Sequence, residues 1–348
     1  MLTAAEILEW NDEGTPLPLL HVERLVKHFP IKPALFERHR AVVRAVDDIT
    51  FTVKQGETLG IVGEAGCGKS TIARLLMHLI PPDAGVVTFE GKIAGSPELP
   101  MKAYRRQVQM VFQDSSPSLN PRLTIEDSIA SGPTAHGTAR ALALRRAWSL
   151  LRRVGFEPRR VARRYPHELS GSQRQRVNIA RALALEPSVL ILDEPVFELD
   201  KSMAAEVLNL LLDLKATLGL TYIFISRDLE VVRFFADRVM VMHLGRIAEI
   251  GPTETVYRGR RHPYTDMLLG TLISLDPDRQ TAAPFTGTPS SISPPAGCRF
   301  HTGCRYAEGV CQAGQPVPHV MGDEHLAACY RVTPGSGHSA APTQVRRV

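Results

Sequence analysis

The chain has 348 residues, of which 44% are hydrophobic and 22% charged, and it carries a formal net charge of +5. This composition is ordinary for a globular protein, and the length allows one large domain with an appendage. No apolar run approaches the roughly 20 residues that a membrane-spanning helix requires. The N-terminus also lacks the basic segment and apolar core of a secretion signal, so we expect a cytosolic protein.

The N-terminal part of the chain is expected to start with a flexible lead-in at residues 1–17. Two apolar stretches follow, Leu19–Val26 and Ala45–Val53, and their β-branched residues favour strands. A basic insertion lies between them, from Lys32 to Arg44.

A phosphate-binding loop is predicted next, because the chain then matches the pattern G-x-x-x-x-G-K-[ST]. An apolar strand, Thr58–Val62, precedes the loop, and Thr71–Ile80 has apolar residues at helical spacing. Backbone N–H groups of such a loop surround phosphate oxygens, and the helix directs its positive end at them. The predicted nucleotide-binding residues are Gly63, Glu64, Ala65, Gly66, Cys67, Gly68, Lys69, Ser70 and Thr71.

Two side chains of this loop have specific roles in the prediction. Lys69 would reach the β- and γ-phosphates, and Ser70 would hold Mg²⁺. Cys67 is expected to contribute its backbone N–H, with an incidental thiol. A chance glycine-rich turn is the alternative, and the strand before the loop and the helix after it argue against this. The sequence therefore predicts a nucleoside triphosphate site.

An arginine-rich stretch follows, with nine arginines between Arg140 and Arg164. Residues Ala141–Val154 have the pattern of an amphipathic helix, so the arginines could form a solvated basic face. Few aromatic residues lie among them and no nucleic-acid-binding module is recognisable, so we expect no nucleic-acid partner.

A second chemical element is the apolar run Ser188–Leu192, which ends in Asp193 and Glu194. A fully apolar strand is typical of a buried parallel sheet, and ligands bind at the carboxyl ends of such strands. Asp193 is suited to the Mg²⁺ shell, and Glu194 to polarising an attacking water. The alternative is that Asp193 and Glu194 form a solvated acidic turn. The presence of a phosphate-binding loop in the same chain argues against it.

The C-terminal part contains a Pro-, Ser- and Thr-rich linker, Asp276–Pro295, and a polar tail at residues 331–348 that we expect to be disordered. Four of the five cysteines cluster between them. In a cytosolic protein such clustering favours metal ligation over disulfides, but the spacing lacks the close pairs of zinc ribbons. An iron–sulfur cluster, zinc and no metal all remain open. The four are Cys298, Cys304, Cys311 and Cys329.

One further segment, residues 169–173 (Leu-Ser-Gly-Ser-Gln), makes the chain resemble the ATP-binding subunit of an ABC transporter, whose signature motif is LSGGQ. Gln113 resembles that family's Q-loop and Asp200 its D-loop. Residues 224–228 lie at the H-loop, with Arg227 where the family usually has histidine. These motifs occur once each and in the family's order, and the resemblance covers roughly residues 18–330.

The subfamily resembled is that of the dipeptide, oligopeptide and nickel importers. It rests on residues 112–122, Tyr165–Glu168, His262–Thr265 and the cysteine-bearing tail from Gly297. The implied fold class is α/β: a P-loop ATPase core of mostly parallel sheet flanked by helices, with an antiparallel β subdomain, a helical subdomain and a small cysteine-rich appendage. The implied domains are an ATP-binding domain at 18–260, with its helical subdomain at about 114–182, and a C-terminal extension at 261–330.

The resemblance also implies site roles. Phe29 lies where the family stacks an aromatic residue on adenine, although a core phenylalanine is an equal alternative. Glu194, Gln113 and Arg227 are the implied catalytic residues, and Mg²⁺ would be held by Ser70, Gln113 and Asp193. The signature residues would contact ATP on a second subunit: Ser170, Gly171, Ser172 and Gln173. The four clustered cysteines would hold a structural 4Fe–4S cluster.

The function implied is an ATP-hydrolysing subunit that energises peptide import. Its implied partners are a paralogous ATPase subunit, two membrane permease subunits and an extracytoplasmic substrate-binding protein, which place it on the cytoplasmic face of the membrane. Alternatives are a degenerate nucleotide-binding regulatory subunit, or an importer of nickel or glutathione. A soluble ABC ATPase acting on ribosomes or DNA is disfavoured, because no second ATPase domain or coiled-coil insertion is present. Three departures from the family's motifs favour an asymmetric pair of ATPase sites. They are Arg227 in place of the histidine, Ser172 in place of the second signature glycine, and Phe197–Glu198 in place of the small residues before the D-loop.

Overall fold

The computed structural model describes residues 17–31, 41–115, 117–270, 291–292, 294–322 and 324–342. The predicted lead-in at 1–17 lies outside these ranges except for Leu17. Most of the basic insertion and of the linker at 276–295 also lies outside them. The described residues fold into two compact units: one takes those within 1–20, 53–58 and 88–226, and the other those within 21–52, 59–87 and 227–348.

Twelve strands are formed by the described residues. They are β1 (Leu20–Pro30), β2 (Val42–Val53), β3 (Thr58–Val62), β4 (Ala84–Phe89), β5 (Lys92–Ile93), β6 (Val108–Val111), β7 (Val189–Asp193), β8 (Thr221–Ile225), β9 (Arg238–His243), β10 (Arg246–Pro252), β11 (His319–Val320) and β12 (Leu326–Ala327).

The α-helices of the described residues are α1 (Lys69–Leu76), α2 (Met101–Gln107), α3 (Ile125–Ala135), α4 (Arg140–Arg153), α5 (Pro158–Val161), α6 (Gly171–Leu183), α7 (Lys201–Leu218), α8 (Leu229–Phe235), α9 (Thr253–Gly259), α10 (Pro263–Gly270) and α11 (Gly309–Ala313). No helix among them is both long and apolar enough to cross a membrane.

The first unit contains a parallel sheet in the order β8-β7-β6. Every residue of β7 and β8 is buried, as their largely apolar sequences require in a sheet covered on both faces. Helices α3, α4 and α6 pack against one another, and α4 occupies the predicted amphipathic stretch. The Asp200 carboxylate caps the start of α7, and Gly219 follows its last residue with a φ of 64°, which suits a helix C-terminus.

The second unit contains a mixed sheet in the order β11-β12-β10-β9-β3. β3 and β9 are parallel, and the other neighbours are antiparallel. β11 and β12 come from the C-terminal extension, so the extension shares the sheet that carries β3. Parallel and antiparallel strands with covering helices confirm the predicted α/β class.

The C-terminal tail differs from the disorder expected from residue 331 onwards. Its described part, 331–342, is packed: the Ser336 hydroxyl donates to the Tyr330 carbonyl across 2.7 Å. His338 is buried, with Nε2 2.9 Å from the carbonyl of Tyr306. The polar composition is compatible with order here because hydrogen bonds satisfy its buried groups. The predicted disorder therefore does not extend to these residues.

Candidate functional site

The predicted phosphate-binding loop connects β3 to α1 in the second unit. Gly63 and Gly68 have φ values of 147° and 112°, in the region that only glycine adopts readily. A Cβ atom on Gly63 would lie 2.3 Å from the Met242 carbonyl oxygen, and one on Gly68 would lie 2.1 Å from that of Ala45. The loop therefore requires glycine at both positions for steric as well as conformational reasons.

The Lys69 side chain lies inside this loop. The side chain is 5% exposed, and Nζ donates to the carbonyls of Gly63 across 2.7 Å and of Glu64 across 2.9 Å. Gly68 is the N-cap residue of α1, and because it has no side chain it does not cap the N–H groups at the start of the helix. An ammonium group above a helix N-terminus is an arrangement that binds phosphate.

Cys67 is buried in the same loop, and burial raises the pKa of its thiol against the opposing effect of the Lys69 charge. Its carbonyl accepts a hydrogen bond from the Gly245 N–H across 2.9 Å. Burial also raises the pKa of Glu64, again against the opposing effect of Lys69. That Cys67 would bind phosphate through its backbone N–H stays a prediction.

The predicted carboxylates lie at the end of β7 in the first unit. Asp193 and Glu194 are 3% and 4% exposed. Glu194 has a φ of 48°, a left-handed conformation that costs a non-glycine residue roughly 1–3 kcal/mol and that clusters at functional sites. The N–H of Glu194 donates to the Ile225 carbonyl across 2.9 Å, and the Gln113 amide donates to its Oε2 across 3.3 Å. The structure thus brings the predicted Q-loop glutamine and the predicted base together.

The predicted signature residues open α6 in the same unit. The Gln173 N–H donates to the Ser170 hydroxyl across 3.3 Å, and the Ser170 N–H donates to the Gln173 side chain across 3.0 Å. This reciprocal pair is a capping box that fixes the helix start. Ser170 is exposed, whereas Ser172, which replaces a signature glycine, is buried.

Asp200, the predicted D-loop residue, caps α7 by accepting the N–H of Met203 across 2.9 Å. It is exposed. A local structural role therefore exists for this residue alongside the predicted functional one.

Phe29 and Arg227 belong to the second unit, and both are accessible. Phe29 is 37% exposed on β1, with the Lys27 ammonium 5.6 Å from its ring centre, so it is not a core residue. Arg227 is exposed immediately before Asp228. Asp228 accepts the N–H groups of Glu230 and Val231 and so fixes the start of α8.

The four clustered cysteines line one cavity of the second unit, together with Phe300 and His262 among others. Burial raises the pKa of Cys298 to about 12 and that of Cys329 to about 11, and the charges of the neighbouring cysteines add to both shifts. Across the described ranges, no three His, Cys, Asp or Glu side chains form a metal-binding group. The cysteines are thus gathered around one space without coordinating geometry.

Tyr264 contacts the phosphate-binding loop, although the sequence predicted no role for it. Its hydroxyl accepts the N–H of Glu64 across 3.2 Å, although 200 residues separate them. The only sequence signal for it is the His262–Thr265 segment, which pointed to a subfamily and not to a contact.

Two family models match the chain: "ABC transporter" at residues 46–197, and "Oligopeptide/dipeptide transporter, C-terminal region" at residues 248–311. The probable peptide ABC transporter ATP-binding protein y4tS of Sinorhizobium fredii is 47% identical over 330 residues, covering 93% of each chain. The dipeptide transport ATP-binding protein DppF of Escherichia coli is 43% identical over 321 residues, covering 90% of this chain and 95% of DppF. The oligopeptide transport ATP-binding protein AppF of Bacillus subtilis is 42% identical over 320 residues, covering 90% of this chain and 97% of AppF.

Solved structures resemble the chain over a shorter stretch. CbiO1 of Clostridium perfringens, part of an ABC transporter complex, has a TM-score of 0.59 and 29% identity, covering 70% of this chain and 92% of CbiO1. The dimeric ATP-binding cassette MJ0796 with ADP and phosphate has a TM-score of 0.59 and 26% identity, covering 67% of this chain and 98% of the cassette.

Proposed function

Because this chain belongs to the ATP-binding proteins of ABC transporters, and carries the C-terminal region of the oligopeptide/dipeptide branch, we propose that it binds and hydrolyses ATP to drive import of di- or oligopeptides. The observation that carries the proposal is the phosphate-binding loop, with the Lys69 ammonium held among its carbonyls. Relatives with peptide, dipeptide and oligopeptide transport in their names match over 90% or more of this chain, which supports the cargo class.

The residues present fit the chemistry of ATP and Mg²⁺. Lys69 would neutralise the β- and γ-phosphates. A serine hydroxyl, an amide oxygen and a carboxylate are ligands that suit Mg²⁺, and Ser70, Gln113 and Asp193 offer these. When bound, Mg²⁺ would supply charge stabilisation during phosphoryl transfer.

Glu194 is proposed as the base that polarises the attacking water. Its carboxylate is nearly buried and is held by the Gln113 amide, so its orientation is restricted. Phosphoryl transfer depends mainly on positioning, which such a contact provides.

We propose that the chain pairs with a paralogous ATPase subunit, two permease subunits and an extracytoplasmic substrate-binding protein on the cytoplasmic face of a membrane. The exposed Ser170 at the start of α6 would reach the ATP of the paired subunit. The dimeric form of the similar cassette MJ0796 supports pairing.

A second candidate, a mainly nucleotide-binding regulatory subunit, is favoured by Arg227. Histidine changes its protonation near neutral pH, whereas arginine stays charged and binds phosphate as a planar fork. Arg227 would therefore hold phosphate without assisting its release. The intermediate proposal is an asymmetric pair in which this chain's phosphate loop forms the slower site.

We also propose that the four clustered cysteines hold a 4Fe–4S cluster. Four thiols on one cavity provide ligands of the right type, and binding of the cluster would bring them into the coordinating geometry that they lack in this structure. When bound, the cluster would supply a cross-link for a region with little core of its own. Zinc is the alternative occupant.

The experiment that tests the proposed function is reconstitution with the permease and binding protein, followed by measurement of ATP hydrolysis. We expect stimulation by binding protein loaded with a dipeptide or oligopeptide. If only binding protein loaded with nickel or glutathione stimulates hydrolysis, the proposed cargo class is wrong. If the complex does not bind ATP, the proposal as a whole is refuted.

A further inference from the structure

Tyr264 is fully buried, and its ring is fixed from two sides. The ring of His243 lies 4.2 Å from it and that of Phe300 lies 5.3 Å from it, measured between ring centres. His243 and Phe300 also contact each other edge-on at 5.5 Å. Burial lowers the pKa of His243 to about 3, so this cluster contains a neutral imidazole. The position of the tyrosine hydroxyl is thereby restricted.

That hydroxyl accepts the N–H of Glu64, at the N-terminal side of the phosphate loop. The contact matters because Glu64 and the preceding Gly63 provide both carbonyls that hold the Lys69 ammonium. An anchor at the Glu64 N–H therefore fixes the peptide groups that set the position of Lys69.

A second anchor holds the other side of the loop. The Arg299 guanidinium donates to the Leu244 carbonyl and to the Asp47 carboxylate. Next to Leu244, the Gly245 N–H donates to the Cys67 carbonyl across 2.9 Å. Arg299 precedes Phe300 in the chain, so two consecutive residues support the loop, Arg299 through Leu244 and Phe300 through the ring of Tyr264.

We propose that Tyr264 is a positioning residue for nucleotide binding, through which the C-terminal extension holds the phosphate loop in its binding conformation. The proposal rests on ATP binding at this loop, as proposed above. Tyr264 touches no reacting atom in this scheme and acts through the Glu64 N–H. Its removal is therefore expected to change the affinity for ATP more than the rate of hydrolysis.

The test is Tyr264→Phe in the full chain, which keeps the ring between His243 and Phe300 and removes only the hydroxyl. We expect ATP to bind about three- to tenfold more weakly, the size expected for one neutral hydrogen bond. In the reconstituted transporter, KM for ATP should rise by the same factor while kcat stays within about twofold. The matched control is Tyr257→Phe, because Tyr257 is a buried tyrosine of the same unit whose hydroxyl donates to the Leu229 carbonyl. It should leave ATP binding unchanged.

A direct readout is hydrogen–deuterium exchange at the Glu64 amide without nucleotide. In the unmodified chain this amide should be protected, and in Tyr264→Phe its exchange should accelerate. An unprotected Glu64 amide in the unmodified chain, equal ATP affinity in Tyr264→Phe, or equal loss in Tyr257→Phe would each overturn the proposal. Failure of the unmodified complex to bind ATP would instead refute the proposed function.

Discussion

The side-chain amide of Gln113 lies 3.3 Å from the carboxylate of Glu194, at the carboxyl ends of the adjacent parallel strands β6 and β7. Eighty-one positions separate the two residues in sequence. The contact arises because parallel strands bring their carboxyl ends to one edge of a sheet, where ligands bind. A polar group that orients a nearly buried carboxylate is what a water-activating base requires.

We therefore expect Gln113→Ala to lower ATP hydrolysis by about tenfold or more, a typical loss for a group that orients catalytic machinery. Steady-state ATPase measurements on the assembled transporter check this. Gln109→Ala is the matched control, because Gln109 lies on β6, the strand that Gln113 follows, and its side chain donates to the Arg105 carbonyl. Equal activity of the two variants would contradict a role for the Gln113–Glu194 contact.

Replacing Lys69 by Met should weaken ATP binding by roughly 10- to 150-fold. The variant keeps the aliphatic stem and removes a charge-assisted bond to phosphate, worth about 1.5–3 kcal/mol. Titration of the purified chain with a fluorescent ATP analogue is the measurement. Lys92→Met, on the short strand β5, should bind like the unmodified chain. An unchanged affinity of Lys69→Met for the ATP analogue would show that residues 63–71 are not the phosphate-binding loop.

Protein purified without oxygen should be brown and contain iron and acid-labile sulfide. Thiolate ligation of iron gives visible charge-transfer absorption, which zinc cannot produce. Cys304→Ser should lose the colour, whereas Cys67→Ser should keep it, because Cys67 is in the phosphate loop and not on the cysteine cavity. A colourless preparation with stoichiometric zinc would favour the alternative metal.

The buried ion pair between Asp47 and Arg299 should stabilise the fold. Burial alone would raise the pKa of Asp47, but the charges of Arg299 and Arg246 outweigh it and hold the pKa below its usual value. Asp47→Asn leaves a buried guanidinium without its partner and should lower the free energy of unfolding by about 3 kcal/mol at pH 7. The pair of Asp83 and Lys27 is the control, because the Asp83 side chain is 41% exposed, and Asp83→Asn should cost under about 1 kcal/mol.

The pH dependence of this effect has a definite sign. Because the folded-state pKa of Asp47 is lowered, its stabilisation is complete above the unfolded-state pKa of about 4 and is lost as the pH falls through the folded value. Urea unfolding at several pH values should show Asp47→Asn and the unmodified chain converging below about pH 4. A constant difference down to pH 3 would contradict the role of the Asp47 charge.

Local patterns predicted local structure well. The strand before the phosphate loop spans Thr58–Val62 as predicted, because an apolar run bounded by glycines leaves little choice. The following helix ends at Leu76 and not at Ile80, since His78 adopts a left-handed φ of 49° ahead of Pro81. Its apolar periodicity continues past the point at which the backbone leaves the helix.

Long-range contacts could not be predicted from local sequence patterns. The bond between Tyr264 and Glu64 and the ion pair of Arg299 with Asp47 join residues 200 and 252 positions apart. Such contacts depend on how the C-terminal extension packs onto the sheet that carries β3, which no periodicity in the sequence specifies. The proximity of Gln113 and Glu194 could be predicted only because the order of the motifs indicated that both residues serve one site.

The last prediction concerns Arg227, which stands where the family resembled usually has histidine. Arg227→His should raise ATP turnover of the reconstituted transporter, because a histidine can release product phosphate by changing its protonation, whereas arginine keeps its charge. If this chain's phosphate loop forms the slower site, Glu194→Gln here should also reduce transport less than the equivalent change in the paralogous partner. Asp228→Asn is the control for local damage, since it perturbs the start of α8 beside Arg227 without changing Arg227 itself. Complete loss of transport in Glu194→Gln, equal to that of the partner variant, would show that the two sites are equivalent and that Arg227 serves as well as histidine.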